Sequence, residues 1–335
     1  MTVSQTDKDE TTNGGEIISR MLRAETVDTV FGIPDRSLSA LCASFTANGI
    51  KLISPTHDTN AVHMAGAYAR ITGKLGVCIA GKGVGMANAL SGVAMDNAEG
   101  HRILLISSAA EGGHPGSDPK GAYRYLPQLD ATRPITKWNS TIPSIEKISD
   151  VMCKAFRLSH TGKPGVVHVD VPEKIMNMAC SYDPSWTRDP ATYRSLDPMA
   201  PLPELVEKAA DMLAQAKFPL IHAGTAVIHA QAHEELMELA ALLEAPVSTS
   251  WGARSAMDER KDQSIPMIYL ATTNELRNKT DVVLALGSRI GETDWWGKPP
   301  YWAPPSRQKL IQVDLDAAVF GFNKPVNLAV QADVK

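Results

Sequence analysis

A glycine-rich turn is the first segment of this sequence whose residue types point to ligand chemistry. Residues 81–85 read Gly-Lys-Gly-Val-Gly and follow an apolar run typical of a strand. Glycines let backbone amides approach a ligand closely, and the N-terminus of the helix expected next favours negative charge. Met86 stands where a dinucleotide fingerprint has its third glycine, and no Gly-Lys-Ser/Thr closes a P-loop. The turn therefore predicts a ligand contact and argues against NAD binding.

Asp58 is the second candidate, because it stands where a strand-like run passes into a helical pattern. A carboxylate at such a junction either caps the helix or faces a ligand, and the residues alone leave both interpretations open. His57 and His63 lie six positions apart with no third ligand at helical spacing, so no metal site is predicted. The cysteines are scattered and form no Cys-x-x-Cys pair, which predicts free thiols and a cytoplasmic protein.

The elements that must position these residues alternate along the chain. Strands are predicted at 29–31, 50–53, 75–80, 103–107 and 165–171, and helices at 37–45, 59–71 and 86–95. Such alternation indicates βαβ units and a parallel sheet covered on both faces. The same rhythm returns later, with strands predicted at 219–223, 245–249, 282–286 and 310–313. The predicted fold class is therefore α/β, with two doubly wound, mostly parallel-sheet domains.

Length and composition also favour two domains. The 335 residues correspond to about two domains at roughly 150 residues each. The hydrophobic fraction of 44% and the charged fraction of 21% are typical of globular proteins. Residues 1–14 are predicted to form a disordered arm, 15–182 the first domain, the proline-rich segment 183–202 a linker, and 203–335 the second domain.

Charge and hydropathy argue against two classes of partner. The net charge is −4 and no block of like charge stands out, so nucleic-acid binding has no electrostatic support. No apolar run approaches the roughly 18 residues that a membrane span needs. The polar N-terminal stretch also lacks the apolar region of a secretory signal.

An ordered set of short motifs continues through both halves of the chain. In the first half the motifs are Phe31-Gly32-Ile33-Pro34, His57-Asp58, Tyr68-Ala69-Arg70, Gly83-Val84-Gly85 with Asn88, Arg133-Pro134-Ile135-Thr136, and Asp170-Val171-Pro172. In the second half they are Gly224, Glu244-Ala245-Pro246-Val247, Gly287-Ser288-Arg289 and Gln312-Val313-Asp314. Their order and spacing resemble those of thiamine-diphosphate-dependent enzymes similar to acetolactate synthase. The resemblance covers nearly the whole chain after about residue 15.

The resemblance implies a pyrimidine-binding domain followed by a Rossmann-like central domain, with thiamine diphosphate as the cofactor. The family has a glutamate, hydrogen-bonded to the aminopyrimidine ring, at the position that Asp58 occupies here. That carboxylate drives the exocyclic amine toward an imine, which then removes the thiazolium C2 proton. Aspartate is shorter by one methylene, about 1.5 Å of reach. The resemblance therefore implies a catalytic role for Asp58, with a shorter reach toward the ring than the family's glutamate has.

Further residues receive roles by the same resemblance. Gln128 is implied to approach the substrate. The loops implied to line the cofactor contain Gly32, Ile33, Pro34, Gly81, Lys82, Gly83, Val84, Gly85 and Asn88. The central domain of the family sometimes holds FAD, but the turn at Gly224 lacks a full Gly-x-Gly-x-x-Gly, so a structural role is favoured there.

Besides Asp58, three further features depart from the family pattern. Asp35 and Arg36 replace a glycine pair, and Lys82 begins a turn that is usually Ser-Gly-Pro-Gly. We expect Lys82 to be solvated, with attraction of an anionic substrate or a partner carboxylate as the alternative. Neither the Gly-Asp-Gly segment nor the asparagine pair with which the family binds magnesium occurs in the sequence. Because a diphosphate-bridging cation needs such oxygen ligands, the pyrophosphate-binding domain is predicted to be absent.

Two functions are consistent with these residues. In the first, the chain is a split subunit or truncated form of an acetolactate-synthase-like enzyme that makes or breaks a C–C bond next to the carbonyl of a 2-oxo acid or related donor. It would form a homo-oligomer, a dimer or tetramer, and a missing domain or a pyrophosphate-binding subunit would supply Mg²⁺. In the second, the chain is a non-catalytic binding or scaffold protein with the same fold, in which Asp58 is a helix cap.

Overall fold

The computed structural model describes residues 11–109 and 118–335 of the chain. These residues form two compact units, the first ending at Leu196 and the second spanning Asp197–Lys335. Each unit contains a six-stranded sheet whose described strands all pair in parallel. The predicted α/β class, with two doubly wound parallel sheets, is confirmed.

The strands of the first unit are β1 (Thr11–Asn13), β2 (Thr29–Gly32), β3 (Lys51–Ile53), β4 (Gly76–Ala80), β5 (Ile103–Ala109), β6 (Trp138–Thr141), β7 (Val166–Pro172) and β8 (Ala179–Ser181). The first sheet has the spatial order β3-β2-β4-β5-β7-β6. A separate antiparallel pair joins β1 to β8. The chain moves from β2 to β3 on one side and then returns to β4 on the other, so the strand order reverses at β2.

Helices cover both faces of this sheet, and β4 shows why. Successive side chains of a strand point to opposite faces. Val77 and Ile79 pack with the core cluster on one face of the sheet, whereas Cys78 and Ala80 pack with the core cluster on the other face. The helices are α1 (Gly14–Ala24), α2 (Ser39–Ala47), α3 (Asp58–Thr72), α4 (Val84–Glu99), α5 (Gln128–Thr132), α6 (Ile148–His160) and α7 (Glu173–Asn177).

The second unit repeats the architecture. Its strands are β9 (Pro219–Ala223), β10 (Val247–Thr249), β11 (Ser264–Ile265), β12 (Val282–Leu286), β13 (Lys309–Asp314) and β14 (Leu328–Gln331), and their spatial order is β11-β10-β9-β12-β13-β14. Its helices are α8 (Pro203–Ala214), α9 (Ala226–His229), α10 (His233–Leu242) and α11 (Leu270–Lys279). A Cβ added at Gly224 would lie 2.0 Å from the carbonyl oxygen of Gly287. Close packing of two turns therefore explains the glycine after β9.

The predicted disordered arm, 1–14, is wrong for its last four residues. Thr11–Asn13 form β1, which pairs with Ala179–Ser181, and Gly14 begins α1. The Asn13 side chain caps α1 by accepting a hydrogen bond from the Glu16 amide at 2.9 Å. Residues 1–10 lie outside the described part of the chain.

The predicted linker, 183–202, is anchored to the first unit over much of its length. The Glu25 carboxylate, at the end of α1, accepts hydrogen bonds from the Arg194 guanidinium at 2.7 Å and from the Tyr193 hydroxyl at 2.5 Å. The Glu25 side chain is fully buried, with 0% of its surface exposed. A buried charge pair of this kind holds Tyr193 and Arg194 against the first unit, and the boundary between the two units, after Leu196, falls within the predicted linker.

Candidate functional site

The candidate site is a cleft of about 510 Å³ at the carboxyl ends of β2 and β4. These two strands are neighbours, and the chain leaves them in opposite directions across the sheet. In open α/β sheets, ligands bind in the crevice at such a reversal point. The residues that line the cleft are Ile33, Pro34, Asp35, Asp58, Gly81, Val84, Gly85, Asn88, Tyr123 and Arg124. The loop after β2, the start of α3 and the glycine turn after β4 therefore meet in one cavity.

Asp58 places a buried carboxylate in the cleft and does not cap α3. The cap is His57, whose Nδ1 accepts a hydrogen bond from the Thr59 amide at 3.3 Å. Asp58 is the first residue of the helix, and only 7% of its surface is exposed. Its Oδ2 atom accepts a hydrogen bond from the Asn88 side chain at 3.2 Å. The interpretation of Asp58 as a helix cap is therefore wrong.

The glycine turn provides the space beside this carboxylate. A Cβ added at Gly85 would lie 3.2 Å from Asp58 Oδ1. Gly83 has a φ of +66°, and a Cβ there would lie 2.1 Å from the carbonyl oxygen of Arg124. Only glycine adopts this conformation without strain and admits the neighbouring chain so closely. The turn thus brings α4, which carries Asn88, against Asp58.

Several predicted cofactor-lining residues lie elsewhere. Gly32 belongs to β2, where a Cβ would lie 2.2 Å from the Ile79 side chain, so it is a packing glycine. Lys82 forms an ion pair with Glu173 at 2.5 Å. The expectation that Lys82 is simply solvated is therefore wrong, because its charge is compensated within the chain. Gly32, Lys82 and Gly83 are not among the cleft-lining residues, while Ile33, Pro34, Gly81, Val84, Gly85 and Asn88 are.

The rim of the cleft carries a second ion pair. Asp35, where the family pattern has a glycine, accepts a hydrogen bond from the Arg124 guanidinium at 2.9 Å. Its other described partner is Ser37, whose amide and hydroxyl both donate to Asp35 Oδ1. Because of this ion pair, the charge of Arg124 is balanced within the rim. The sequence analysis did not identify Tyr123 and Arg124 as residues that line the cleft.

Gln128 does not line the cleft but lies beneath the glycine turn. Its surface is 4% exposed, and its Oε1 accepts a hydrogen bond from the Gly83 amide at 2.8 Å. Its Nε2 donates to Asp170 Oδ1 at 2.7 Å and to the Ser108 carbonyl at 3.1 Å. The amide group is engaged within the protein on both sides. The implied approach of Gln128 to a substrate is therefore not what this structure shows.

A buried polar network surrounds Gln128. The Ser107 hydroxyl lies 2.6 Å from Asp170 Oδ1 and 2.7 Å from His168 Nε2, and Thr132 Oγ1 lies 2.9 Å from His168 Nδ1. Burial raises the pKa of Asp170 to about 6, although hydrogen bonds from Ser107 and Gln128 oppose the increase. Burial lowers the pKa of His168 to about 3. Sequence reasoning did not find this network, although polar residues within the apolar runs of β5 and β7 were a visible signal.

These two pKa shifts predict opposite pH dependences of the free energy of unfolding. The pKa of Asp170 rises from its ordinary value of 3.8 to about 6 on folding. Between these two pH values the free energy of unfolding falls as pH rises, because the folded state holds the Asp170 proton more tightly than the unfolded state does. The pKa of His168 falls from its ordinary value of 6.5 to about 3 on folding. Between these two pH values the free energy of unfolding falls as pH falls, because only the unfolded state becomes protonated at His168. Each slope approaches about 1.4 kcal/mol per pH unit, so they nearly cancel between about pH 4 and pH 6.

We therefore expect Asp170→Asn to expose the contribution of His168. Between pH 6 and pH 4 the variant should lose stability more steeply than the parent, by up to about 1.4 kcal/mol per pH unit. Urea unfolding at pH 4, 5 and 6 measures this difference, with Asp211→Asn on the exposed surface of α8 as the matched control. Parallel pH profiles for parent and Asp170→Asn would contradict the assignment.

His57, His63 and His101 have partners other than Asp58. Besides the capping role of His57, Nδ1 of His63 and Nδ1 of His101 each lie 2.6 Å from the buried carboxylate of Asp96. Across residues 11–109 and 118–335, no group of three or more histidine, cysteine, aspartate or glutamate side chains is arranged to hold a metal ion. In the same residues, no helix is long and apolar enough to cross a membrane.

Comparison with protein families decides which group the chain belongs to. The family model described as "Thiamine pyrophosphate enzyme, N-terminal TPP binding domain" matches residues 12–128. The one described as "Thiamine pyrophosphate enzyme, central domain" matches residues 206–335. The chain belongs to the thiamine pyrophosphate enzyme family. The resemblance drawn from the motifs is confirmed, and thiamine diphosphate is the cofactor that membership of this family implies.

Curated relatives narrow the resemblance to acetolactate synthases. The chain is 30% identical to an acetolactate synthase of Mycobacterium bovis over 96% of its own length and 52% of the relative. It is 28% identical to a probable acetolactate synthase large subunit of Methanococcus aeolicus, over 96% of this chain and 54% of the relative. Acetolactate synthase 2, chloroplastic, of Nicotiana tabacum is 30% identical over 99% of this chain and 50% of the relative. The chain thus spans about half the length of the curated relatives it matches.

Proposed function

We propose that this chain supplies the pyrimidine-binding half of a thiamine diphosphate site in an acetolactate-synthase-like enzyme. The observation that carries the proposal is the buried Asp58 carboxylate, held by Asn88 in a cleft at the reversal point of the first sheet. The proposed reaction makes or breaks a C–C bond next to the carbonyl of a 2-oxo acid or related donor. When bound, the cofactor supplies the carbanion that such chemistry needs.

The residues of the cleft fit the aminopyrimidine part of the cofactor. Ile33, Pro34 and Val84 offer apolar surface to a flat ring, and Asp58 offers a carboxylate that accepts a proton or a hydrogen bond. Gly85 keeps the space beside Oδ1 open. In this arrangement the Asp58 carboxylate accepts a hydrogen bond from a ring nitrogen, Asn88 orients the carboxylate, and the apolar side chains pack against the ring.

The same residues do not fit a diphosphate. Arg124 is the cationic residue among those that line the cleft, and its charge is balanced by Asp35. Asp58 adds a further negative charge, so the described lining would repel an anionic group. Lys82 is likewise paired with Glu173. We therefore infer that the diphosphate and Mg²⁺ bind to polypeptide outside these 335 residues, in the same protein or in a partner subunit.

Assembly and location are part of the proposal. A half site reaches full function only when a second polypeptide segment closes it, which favours a homo-oligomer, a dimer or a tetramer, and a pyrophosphate-binding partner. The cysteines are free in the described structure, in keeping with a cytoplasmic protein. FAD is not favoured, since packing against Gly287 already accounts for the glycine that follows β9.

Calorimetric titration with thiamine diphosphate and Mg²⁺ tests the half-site proposal. The chain alone is expected to bind weakly. Addition of a polypeptide that carries the Gly-Asp-Gly segment and asparagine pair should tighten binding at least about tenfold, a difference of about 1.4 kcal/mol. Tight saturation of the isolated chain would contradict the proposal.

A non-catalytic scaffold with the same fold is the second candidate. The observation that favours it is the aspartate at position 58, one methylene shorter than the family's glutamate. The two candidates differ in the effect of Asp58→Ala. A scaffold assembles with its partner and binds cofactor equally well after this substitution, whereas the proposed enzyme loses turnover.

A further inference from the structure

Gln128 connects the glycine turn to the buried network beneath it. The Gly83 amide, which is buried, donates to its Oε1 at 2.8 Å. On the other side Nε2 faces two acceptors, the Asp170 carboxylate and the Ser108 carbonyl. Since an ionised carboxylate and a carbonyl only accept hydrogen bonds, they fix which end of the amide points toward Gly83. The surroundings therefore fix the Gln128 side chain with Oε1 toward Gly83 and Nε2 toward Asp170.

Gly83 is the residue that directly precedes α4, and its peptide sets the direction of that helix. Its backbone, with φ +66° and ψ −97°, precedes the helix, and no side chain caps the first turn. The Ala87 amide donates to the Gly83 carbonyl at 2.8 Å, so the peptide is tied into the helix from its first turn. Asn88 lies on this helix and donates to Asp58. A shift of the Gly83 peptide would consequently move Asn88 relative to the carboxylate.

We propose that Gln128 is a positioning residue that sets the hydrogen bond between Asn88 and Asp58 through the Gly83 peptide, with Asp170 fixing the orientation of the Gln128 amide. This inference rests on the proposed function in that Asp58 is its target. It assigns Gln128 a place beneath the site, without contact to substrate or cofactor. The geometric link itself exists in the isolated chain and can be measured there.

The groups that face Asp170 define what its protonation can change. From β5 the facing group is the Ser107 hydroxyl, and from α5 it is the Gln128 amide. The titratable neighbour in the network is His168, which reaches Asp170 through Ser107 and stays neutral above its lowered pKa. The charged pair Lys82–Glu173 lies on the loops that follow β4 and β7. Loss of the Asp170 charge removes the strongest acceptor for Gln128.

The test uses amide signals of the isolated, isotope-labelled chain, recorded by NMR without cofactor. Gln128→Met removes the acceptor for Gly83, so the Gly83 amide should exchange with solvent at least about tenfold faster, and the Asn88 side-chain signals should shift. Gln128→Glu keeps an oxygen for Gly83 but replaces the Nε2 donor with a second acceptor beside Asp170 and the Ser108 carbonyl, so at neutral pH it should not restore the protection. Gln215→Glu, on the exposed end of α8, is the matched control and should change neither signal.

The pH dependence of the Gly83 amide signal distinguishes the positioning role from a role of Gln128 in core packing alone. In the parent, the Gly83 amide signal should titrate with a midpoint near 6, the pKa of Asp170, and in Asp170→Asn this titration should disappear. Unchanged Asn88 signals in a folded Gln128→Met would overturn the proposal, as would a Gly83 signal independent of pH in the parent. Cofactor binding is measured separately with the assembled protein. Failure of that binding alone rejects the proposed function and leaves the positioning role standing.

Discussion

In an assembled enzyme, Asp58→Asn is expected to lower kcat by about 100-fold or more, the usual contribution of a positioned acid or base. Asparagine has the size of aspartate and fits beside Asn88, but an amide neither carries the charge nor accepts the proton that the carboxylate does. The loss should therefore come from chemistry and not from packing. Steady-state kinetics at saturating cofactor, combined with melting temperatures of parent and variant, separate these two causes.

Two further variants sharpen the test of Asp58. Asp58→Glu restores the family's residue and extends the carboxylate by about 1.5 Å into the space that Gly85 leaves open. We expect it to retain or raise the parent turnover. Asp211→Asn on the surface of α8 makes the same chemical change far along the chain and should leave kcat unaltered. Full turnover in Asp58→Asn or Asp58→Ala would reject the catalytic role of Asp58, whereas absence of turnover in the assembled parent would favour the scaffold.

The second large effect concerns the stability of the first unit. Glu25→Ala is expected to lower the free energy of unfolding by about 3–5 kcal/mol, the usual cost of removing one partner of a buried ion pair. The substitution leaves the Arg194 guanidinium, which is 14% exposed, without its carboxylate, and removes the acceptor of the Tyr193 hydroxyl. Burial and the hydrogen bond to Glu25 both hold the pKa of Tyr193 above its usual range. Urea unfolding followed by circular dichroism measures the loss.

An exposed glutamate provides the comparison. Glu275 pairs with Lys279 one turn along α11, with 64% and 65% of their side-chain surfaces exposed. Because exposed pairs contribute little, Glu275→Ala should cost at most about 0.5 kcal/mol. Equal losses in the two variants would show that burial of Glu25 does not determine its contribution. Glu25→Gln, which keeps the shape and loses the charge, should fall between them.

Local sequence patterns were sufficient to predict most strands of the two sheets, and the resemblance to the family indicated which loops line the cleft. The apolar runs at β4, β5 and β7 predict buried parallel strands, and the glycine turn and Asp58 both fall where strands end and helices begin. Residues at such junctions meet at one edge of a parallel sheet, so the pattern predicts their proximity. Ile33, Pro34, Gly85 and Asn88 lie together with Asp58 for this reason.

Features that depend on distant pairing were not predictable in the same way. β6 is an edge strand with polar residues, and β1 pairs with a strand more than 160 residues later. Neither carries a local apolar signal. Helix α6 was missed although Ile148, Met152 and Phe156 are buried at helical spacing. Gln128 was misplaced because only the folded chain brings Gly83 and Asp170 to its two ends.

The short pairing of β1 with β8 has a consequence for how the protein is made. The strand nearest the start of the described chain finds its partner at Ala179–Ser181, so translation must pass that point before the pair can form. Contacts between residues so distant along the chain form slowly, because a long loop must first close. A nascent polypeptide halted before residue 179 would leave that opening strand without its neighbour, available to chaperones or to proteases.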